Sequence, residues 1–476
     1  METLTRNFVS GLERGTPDRA LLAAVGDEHP EEGAAAFLAA FRHADLAPTA
    51  AHWCEALLSS ARPGFGAGCL LELAEKSRAI GAPLDLTLTP ALPRVIGNCN
   101  FLARRLLRHP DWVAELIGDP PAAPDDGPLA PDWATLRVAK YRGLLRITAR
   151  DLAERPFAAS LSELSELADR CLTAGLECAS NEIGADAPAL LALGKLGGSE
   201  LNFSSDVDLL FLYERDQADE LQQNQRAAEL IRHFKTHMEA PSVDGFGYRV
   251  DLDLRPEGKT GVLANSVEAA LGYYESFGAE WERQMLIRLR AVAGPTSPAD
   301  AFTHGIAPFV YRRLIDPGVM HAVRGMKERI ERERREAGRD LEADLKEGPG
   351  GIRDIEFIVQ SFQLFFGGRH PELRTGNVLA SLALLERLEL LPAAVTTSLA
   401  DSYLWLRRAE HAVQLPEERQ TQQFPRDPHA QLGLARRMGY SDVASTSARN
   451  RLLEDWTAVR NETRCHFDAL VLREDE

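Results

Sequence analysis

Two aspartates separated by one residue are the first feature of this sequence that could do chemistry. Asp206 and Asp208 stand in the run SDVDLLFLYE, where apolar residues follow directly. On a β-strand, residues i and i+2 project from the same face, with Cα atoms roughly 6.5 Å apart. Two ionised carboxylates at this spacing repel each other in apolar surroundings unless a cation lies between them. The pattern therefore indicates a divalent cation, and Mg²⁺ prefers carboxylate oxygens together with substrate phosphates.

A second aspartate pair follows on a segment that alternates with a period of two. In GFGYRVDLDLRPEG, apolar side chains alternate with charged ones, which predicts a strand. Asp251 or Asp253 would supply a third carboxylate if this strand pairs beside the first. Three carboxylates can hold two metal ions about 3.5–4 Å apart, on both sides of a reacting phosphorus atom.

The segment before the first aspartates is suited to binding phosphates. Gly197 and Gly198 allow close backbone approach, and the hydroxyls of Ser204 and Ser205 directly precede Asp206. Free amides and small hydroxyls beside a metal site are what a phosphate chain requires. Taken with the carboxylates, they indicate nucleotidyl transfer. The alternative is that Asp206 and Asp208 merely end a strand and face solvent.

Two other stretches carry basic side chains that are candidates for binding phosphate or nucleotide. In DLRPEGKTG, Arg255 and Lys259 follow the second aspartate pair and are predicted to bind phosphate oxygens, although the stretch also reads as a surface turn. In EGPGGIRDIEF, glycines precede a predicted helix that begins near Arg353 and Asp354. An arginine there could face a nucleotide, whereas an aspartate in a first turn is favourable on helix-dipole grounds alone.

The elements that must position these residues fall into three segments. Residues 1–150 are predicted to be a helical N-terminal region, because alanine and leucine recur there at helical spacing. Residues 151–300 contain a long helix and then strand, strand, helix and strand, which predicts a mixed α/β catalytic domain. Residues 301–476 predict a C-terminal helical bundle. The expected fold class is α+β and predominantly helical.

Composition and short motifs exclude several function classes. The chain has 54 basic and 71 acidic residues, and a net charge of −17 argues against binding nucleic acid. The six cysteines never form C-x-x-C, so buried reduced thiols are expected. No stretch resembles a signal peptide or a membrane span, which predicts a cytoplasmic protein without a membrane partner. His233 and His237 lack the glutamate of a zinc-protease motif and are interpreted as surface or packing residues.

Three long stretches resemble the glutamine synthetase adenylyltransferase family. They are LGKLGGSELNFSSDVDLLFLYE, YRVDLDLRPEGKTGVL and GPGGIRDIEFIVQSFQLFFGGRHPEL, and the resemblance runs from about Phe101 to Pro425. It implies a nucleotidyltransferase (polymerase-beta-like) mixed-sheet domain flanked by helices. By resemblance, Asp206, Asp208 and Asp251 are the catalytic and metal-binding triad, with two Mg²⁺ ions expected and Mn²⁺ as the alternative. Asp253 stands where many relatives have arginine.

The resemblance also implies an activity. N-F-S-S-D-V-D and FGGRHPEL resemble the amino-terminal half of that family, which removes AMP from a glutamine synthetase tyrosine by phosphorolysis and releases ADP. The expected partners are adenylylated glutamine synthetase, phosphate, ADP, ATP and PII signal protein. Three alternatives remain open: adenylyl transfer from ATP, uridylyl transfer to PII protein, and a non-catalytic module that docks on glutamine synthetase or PII protein.

Overall fold

The structure is a computed structural model that describes residues 2–123, 127–153, 155–215, 220–313, 318–442 and 446–472. The chain separates into two compact units, each discontinuous in sequence. The first unit comprises Met1–Asp125, Arg142–Ser160 and Arg408–Ala458; the second comprises Asp126–Tyr141, Leu161–Arg407 and Val459–Glu476. The division into 1–150, 151–300 and 301–476 stays a prediction. Within the described residues, no helix has the length and apolar character needed to cross a membrane.

Most of the described chain is α-helical. The helices are α1 (Glu2–Glu13), α2 (Arg19–Ala24), α3 (Pro30–Arg42), α4 (Ala50–Leu58), α5 (Pro63–Ala79), α6 (Leu92–Asn98), α7 (Asn100–Arg108), α8 (Trp133–Asp151), α9 (Phe157–Ile183), α10 (Gly194–Gly197), α11 (Glu220–Glu239), α12 (Val267–Phe277), α13 (Glu280–Leu286), α14 (Thr296–Val310), α15 (Gly318–Glu336), α16 (Ile352–Phe366), α17 (Val378–Arg387), α18 (Ala393–Gln414), α19 (Pro428–Arg437) and α20 (Ala448–Phe467). Shorter helical turns span Ala47–Thr49, Pro110–Leu116, Gly258–Thr260, Leu341–Ala343, Pro371–Leu373 and Asp468–Leu472.

A small mixed sheet lies in the second unit. Its strands are β1 (Ala189–Ala192), β2 (Val207–Tyr213), β3 (Val250–Asp251), β4 (Ala264–Ser266) and β5 (Arg290–Ala293). β1 pairs antiparallel with both β2 and β5. The other edge of β2 is shared, because β3 pairs parallel with its first residues and β4 pairs parallel with its last. The α+β, mostly helical fold class is therefore confirmed.

Two predicted strand segments are shorter than the sequence pattern suggests. The first strand predicted within residues 151–300, in the run APALLALGKLGG, forms only over β1, and the glycine-containing end of that run is the single helical turn α10. The alternating run GFGYRVDLDLRPEG forms only the two-residue strand β3. After Asp251 the chain turns away, because β4 occupies the rest of that edge of β2. The apolar side chains of the alternating run, Tyr248, Val250 and Leu252, are nevertheless all buried, as the pattern predicts.

Both faces of the sheet are covered by helices. On one face, Leu191 and Leu210 pack in an apolar cluster with Tyr274 of α12 and Phe302 of α14. On the other face, Phe211 contacts Phe234 of α11 with ring centroids 5.8 Å apart. Because both faces of β2 are buried, its residues after Asp208 are all apolar and do not alternate with polar ones. Asp208 interrupts that burial at the start of β2.

The first unit is helical in the residues that the structure describes. Helices α3 and α5 approach so closely that a Cβ added at Gly64 would lie 2.6 Å from the Cα of Gly33. The stacked rings of Phe37 and Trp53 join α3 to α4, with centroids 5.7 Å apart.

All six cysteines of the chain are free thiols, and only Cys465 is exposed, which agrees with the expectation of reduced core thiols.

Candidate active site

Three aspartates meet at one edge of the sheet. Asp208, the second residue of β2, is the register partner of Asp251 in the parallel pairing of β2 with β3. Neighbouring strands lie about 4.8 Å apart, and register partners project from the same face of the sheet. Asp206 directly precedes β2, two residues before Asp208, and all three side chains are half-buried. The sheet register therefore brings Asp206, Asp208 and Asp251 together.

The register also distinguishes Asp251 from Asp253, the two candidates for a third carboxylate. Asp253 lies beyond the end of β3 and is exposed. Its carboxylate pairs with the Lys259 ammonium at 3.3 Å, and its backbone amide donates a hydrogen bond to Oδ1 of Asp251 at 2.7 Å. The geometry favours Asp251 as the third member of the cluster.

The three carboxylates carry more negative charge than the neighbouring basic side chains offset. Burial, and next the charge of Asp206, raise the pKa of Asp208 to about 7. Lys346 and Lys195 act in the opposite direction, but the pKa remains raised. Oxygen donors with an excess of negative charge suit a hard divalent cation, which would restore the ordinary ionisation of Asp208. The residues present therefore fit a Mg²⁺ or Mn²⁺ ion.

Gly194 packs directly against the central carboxylate. It begins α10 in the left-handed region, at φ +55°, and a Cβ at this position would lie 2.1 Å from Oδ2 of Asp208. Leu193, which directly precedes Gly194, donates its amide to the Asp208 carbonyl at 2.9 Å. Only glycine meets both the backbone conformation and the close approach here.

Gly194→Ala is expected to lower the free energy of unfolding by about 1–3 kcal/mol, since it adds both a strained φ and a clash. Urea denaturation measures this change. Gly272→Ala is the matched control, because a Cβ added at Gly272 in α12 would meet no atom within 4 Å apart from the backbone of its own helix. The control should be neutral or stabilise the helix by roughly 0.5–1 kcal/mol. Equal stability of the two variants would contradict the geometry at Asp208.

The glycine pair predicted to bind phosphate is engaged within the protein. The amides of Gly197 and Gly198 donate to the carbonyls of Leu193 and Gly194 at 2.9 and 3.2 Å. A Cβ at Gly197 would lie 1.7 Å from the carbonyl oxygen of Arg288. The observed contacts of this pair are packing contacts, and its phosphate-binding role stays a prediction.

The two serines lie where the sequence suggests, directly before Asp206, and both are buried. The Ser204 carbonyl and hydroxyl oxygens lie 2.8 and 3.3 Å from Nη2 of Arg249, which donates to them. The Arg249 carbonyl in turn accepts the Val207 amide at 2.9 Å. These contacts fix the backbone that leads into the carboxylate cluster. Arg249 was missed by the sequence analysis.

The two cations predicted from DLRPEGKTG differ in their surroundings. The guanidinium of Arg255 is buried and donates to the carbonyls of Leu252 and Lys259 at 2.7 and 2.9 Å. It therefore closes the turn that follows β3. Lys259 is 81% exposed and pairs with Asp253. Phosphate binding by Arg255 and Lys259 stays a prediction.

The loop that precedes α16 supplies a cation that the sequence analysis missed. Lys346, whose charge lowers the pKa of Asp208, lies just before the EGPGGIRDIEF stretch. Asp354 in that stretch is buried, accepts the Gly350 amide at 2.8 Å and pairs with Lys327 at 2.6 Å. These contacts are structural and suit the interpretation of Asp354 as an acidic residue favoured in the first turn of a helix. Arg353 pairs with Glu347 at 3.0 Å.

A buried polar network holds the segment between α10 and Asp206. Arg288 pairs with Glu200 at 3.3 Å and with Glu356 at 3.2 Å. Glu200 accepts hydrogen bonds from the Tyr403 hydroxyl and the Val378 amide, both at 3.0 Å. Arg407 donates to Asn202 and to the Glu200 carbonyl. The network ties the loop before β2 to α16, α17 and α18 within the second unit.

A cleft of about 540 Å³ opens beside the carboxylates. Its lining includes Asp206, Asp251 and Asp253, and Arg232 and Lys235 of α11. Arg249 and Arg255 also line it. Acidic and basic side chains that face one space suit a ligand with metal-bound phosphates.

The small mixed sheet with its carboxylate edge, set among helices, defines a nucleotidyltransferase fold. Residues 90–305 match the family described as glutamate-ammonia ligase adenylyltransferase. Residues 324–471 match the family described as PII-uridylyltransferase. The chain is a homologue of the glutamine synthetase adenylyltransferases and contains their family domain, as the resemblance implied.

Several relatives share this region. Bifunctional glutamine synthetase adenylyltransferase/adenylyl-removing enzymes of Thioalkalivibrio sulfidiphilus and Hahella chejuensis are each 36% identical over 74% of this chain and 40% of their own length. The enzyme of that name from Stenotrophomonas maltophilia strain K279a is 36% identical over 78% of this chain and 42% of its own length. The chain thus spans about two-fifths of the length of the curated relatives it matches.

Proposed function

We propose that this chain removes AMP from an adenylylated tyrosine of glutamine synthetase by metal-dependent phosphorolysis. The observation that carries the proposal is the pairing of Asp208 with Asp251 beside Asp206, next to a cleft with basic side chains. The names of the relatives support glutamine synthetase as the substrate and include the adenylyl-removing activity. The match of residues 324–471 supports PII protein as a further partner.

In this proposal Asp206, Asp208 and Asp251 hold one or two Mg²⁺ ions, with Mn²⁺ as the alternative. When bound, the ions offset negative charge on the attacking and leaving oxygens. Lys346 and Lys195 limit the negative charge around Asp208. Phosphate binding is proposed for Gly197, Gly198, Ser204, Ser205, Arg255 and Lys259, with Arg232 of the cleft as an addition. The contacts of Gly197, Gly198, Ser204 and Arg255 also fix the loops that carry them.

The bond changes balance without another reactant. A phosphate oxygen forms a bond to the α-phosphorus of the adenylyl-tyrosine, and the bond from that phosphorus to the tyrosyl oxygen breaks. The products are ADP and tyrosinate, which takes a proton from the incoming hydrogen phosphate or from water. Phosphate is already anionic at neutral pH, so the site needs little general-base assistance.

Mg²⁺ binding is expected to weaken as the pH falls below about 7. In the metal-free protein Asp208 holds a proton below its pKa of about 7, and the ion must displace that proton to bind. Affinity should therefore fall up to about tenfold per pH unit below that pKa and level off above it. Calorimetric titration across this range measures the slope. An affinity that does not change with pH would contradict the proposed role of Asp208.

Intact mass spectrometry of glutamine synthetase tests the proposed reaction. Adenylylated glutamine synthetase is mixed with the chain and Mg²⁺, with and without phosphate. The proposal predicts loss of one AMP per subunit only when phosphate is present. Asp300→Asn is the matched control, because Asp300 is exposed on α14 and does not line the cleft, and this variant should keep the activity. Unchanged mass with phosphate present would contradict phosphorolysis.

Adenylyl transfer from ATP is the second candidate, because the names of the relatives include both activities. It would use the same carboxylates but release pyrophosphate. Incubation of unmodified glutamine synthetase with ATP distinguishes the two reactions. A gain of AMP there, without phosphate-dependent loss from the adenylylated form, would replace the proposed direction with this one. Binding to the synthetase without either reaction would favour a docking module.

A further inference from the structure

A second cluster of metal-binding side chains lies between α9 and α11, apart from the three aspartates. One ligand atom each from Glu182, His233 and His237 lies within 4.8 Å of the others. His233 and His237 stand one helical turn apart on α11, and Glu182 projects from the last turn of α9. Residues four apart on a helix share a face, so both imidazoles are directed to the same side.

We propose that Glu182, His233 and His237 bind a borderline divalent cation such as Zn²⁺. Two imidazole nitrogens and one carboxylate oxygen are a set that Zn²⁺ accepts, with one coordination position left for water. Mg²⁺ takes oxygen ligands and would not compete well for this set. This proposal does not rest on the proposed adenylyl-removing activity.

The hydrogen bonds of the cluster prepare its ligand atoms. Nδ1 of His237 lies 3.0 Å from the His233 carbonyl oxygen and donates to it when protonated. This bond holds the proton on Nδ1 and leaves the Nε2 lone pair free for a metal. Nε2 of His233 faces Oε2 of Glu182 at 2.5 Å. A cation placed between these atoms would replace that contact with two metal bonds.

Trp133 of α8 supports the ligands from a third element. Its indole Nε1 donates to both carboxylate oxygens of Glu182, at 3.1 and 3.2 Å. Its ring stacks on the His237 ring, with centroids 5.0 Å apart. Outer contacts that orient a carboxylate and an imidazole are typical of metal sites. The stacking and the Nδ1 contact together hold the His237 ring beside Glu182 and His233.

The position of the cluster gives the ion a structural consequence. Arg232 and Lys235, neighbours of His233 on α11, line the cleft beside Asp206. An ion that joins Glu182 to α11 would fix the helix from which these cations project. A cation that binds only the folded state would also raise the melting temperature by mass action.

Zn²⁺ titration in competition with a chromophoric chelator tests the proposal. A large excess of Mg²⁺ keeps the aspartate cluster occupied, so that the readout reports the imidazole site. The intact chain is expected to bind one more equivalent of Zn²⁺ than His237→Ala does. His304→Ala is the matched control, because His304 is exposed on α14 and makes the same contact to the carbonyl four residues earlier, at 2.8 Å. This control should bind Zn²⁺ like the unmodified chain.

Two further variants keep the test decisive if His237→Ala folds poorly. Glu182→Gln keeps the shape of the side chain and should lose the Zn²⁺-dependent rise in melting temperature. Trp133→Phe keeps a ring beside His237 but removes the donor to Glu182, and should weaken Zn²⁺ binding by about 10-fold to 100-fold. Equal Zn²⁺ affinity in the unmodified chain and in all three variants would overturn the proposal.

Discussion

Asp208→Asn is expected to abolish AMP removal and, at the same time, to stabilise the metal-free protein. The loss should be on the order of a thousandfold, because a metal ion supplies several kcal/mol of charge stabilisation that the amide cannot anchor. Asparagine has nearly the same volume as aspartate, so the packing against Gly194 is kept. Phosphate-dependent loss of AMP from the synthetase measures the activity.

The stabilisation follows from the direction of the pKa shift. Burial and Asp206 raise the pKa of Asp208 from 3.8 to about 7, so the folded protein binds a proton that the unfolded chain has released. Stability from this group therefore falls as the pH rises from about 4 to 7 and stays low above that range. The substitution should add on the order of 1–4 kcal/mol at alkaline pH without metal.

Urea denaturation in the presence of a chelator tests the stability arm of this prediction. The gain should disappear at about pH 4, where aspartate and asparagine are both uncharged in the folded state. Asp300→Asn is the control, since Asp300 is exposed on α14 and lies outside the cluster. A variant that is both inactive and less stable at alkaline pH would contradict the account of the cluster.

Arg288→Ala is expected to have the largest effect on stability. The substitution leaves the buried carboxylates of Glu200 and Glu356 without their shared partner. Breaking a buried pair by removing one member typically costs about 3–5 kcal/mol, because the remaining charge is not compensated. Chemical denaturation measures this loss. Since the network holds the loop before Asp206, activity should fall as well.

The pH dependence of Arg288→Ala gives a second readout. Burial alone would raise the pKa of Glu356, but Arg288 and then Arg353 overcome it and lower this pKa to about 2. Stability from Glu356 is therefore present above its ordinary pKa of 4.5 and is lost as the pH falls toward 2. The cost of removing Arg288 should shrink over that range.

A solvent-exposed ion pair provides the control for Arg288→Ala. Arg6 pairs with Glu2 across one turn of α1, at 3.0 Å, and the two side chains are 76% and 84% exposed. Arg6→Ala should cost about 0.3–0.5 kcal/mol, as exposed helix pairs do. Similar losses for Arg288→Ala and Arg6→Ala would show that the buried network does not support the fold.

The chemistry-bearing residues could be read from the sequence because their signals are local. The D-x-D spacing at Asp206 and Asp208 indicates a shared face, and the alternation around Asp251 indicates a neighbouring strand. The alternation alone did not separate Asp251 from Asp253, since both have the same position in a period-two pattern; the family resemblance favoured Asp251, and the strand register pairs that residue with Asp208. β3 is also far shorter than its pattern, because β4 takes the rest of the edge.

The residues that the sequence analysis missed act through long-range contacts. Arg288 and Arg407 meet Glu200 only after folding, and no local pattern marks arginines that pair in a core. Lys346 had a local signal, since it stands immediately before a glycine-rich stretch that was already a candidate. The zinc-protease criterion set His233 and His237 aside, because their third partner, Glu182, lies on another helix.

The most direct test of the central claim follows labelled phosphate. Adenylylated glutamine synthetase, Mg²⁺ and ³²P-phosphate are incubated with the chain or with Asp206→Asn, and the nucleotides are separated. The account predicts radioactive ADP with the unmodified chain and none with Asp206→Asn. Unlabelled AMP as the product would mean hydrolysis in place of phosphorolysis. Equal labelling by both proteins would mean that the carboxylate cluster is not the site of the reaction.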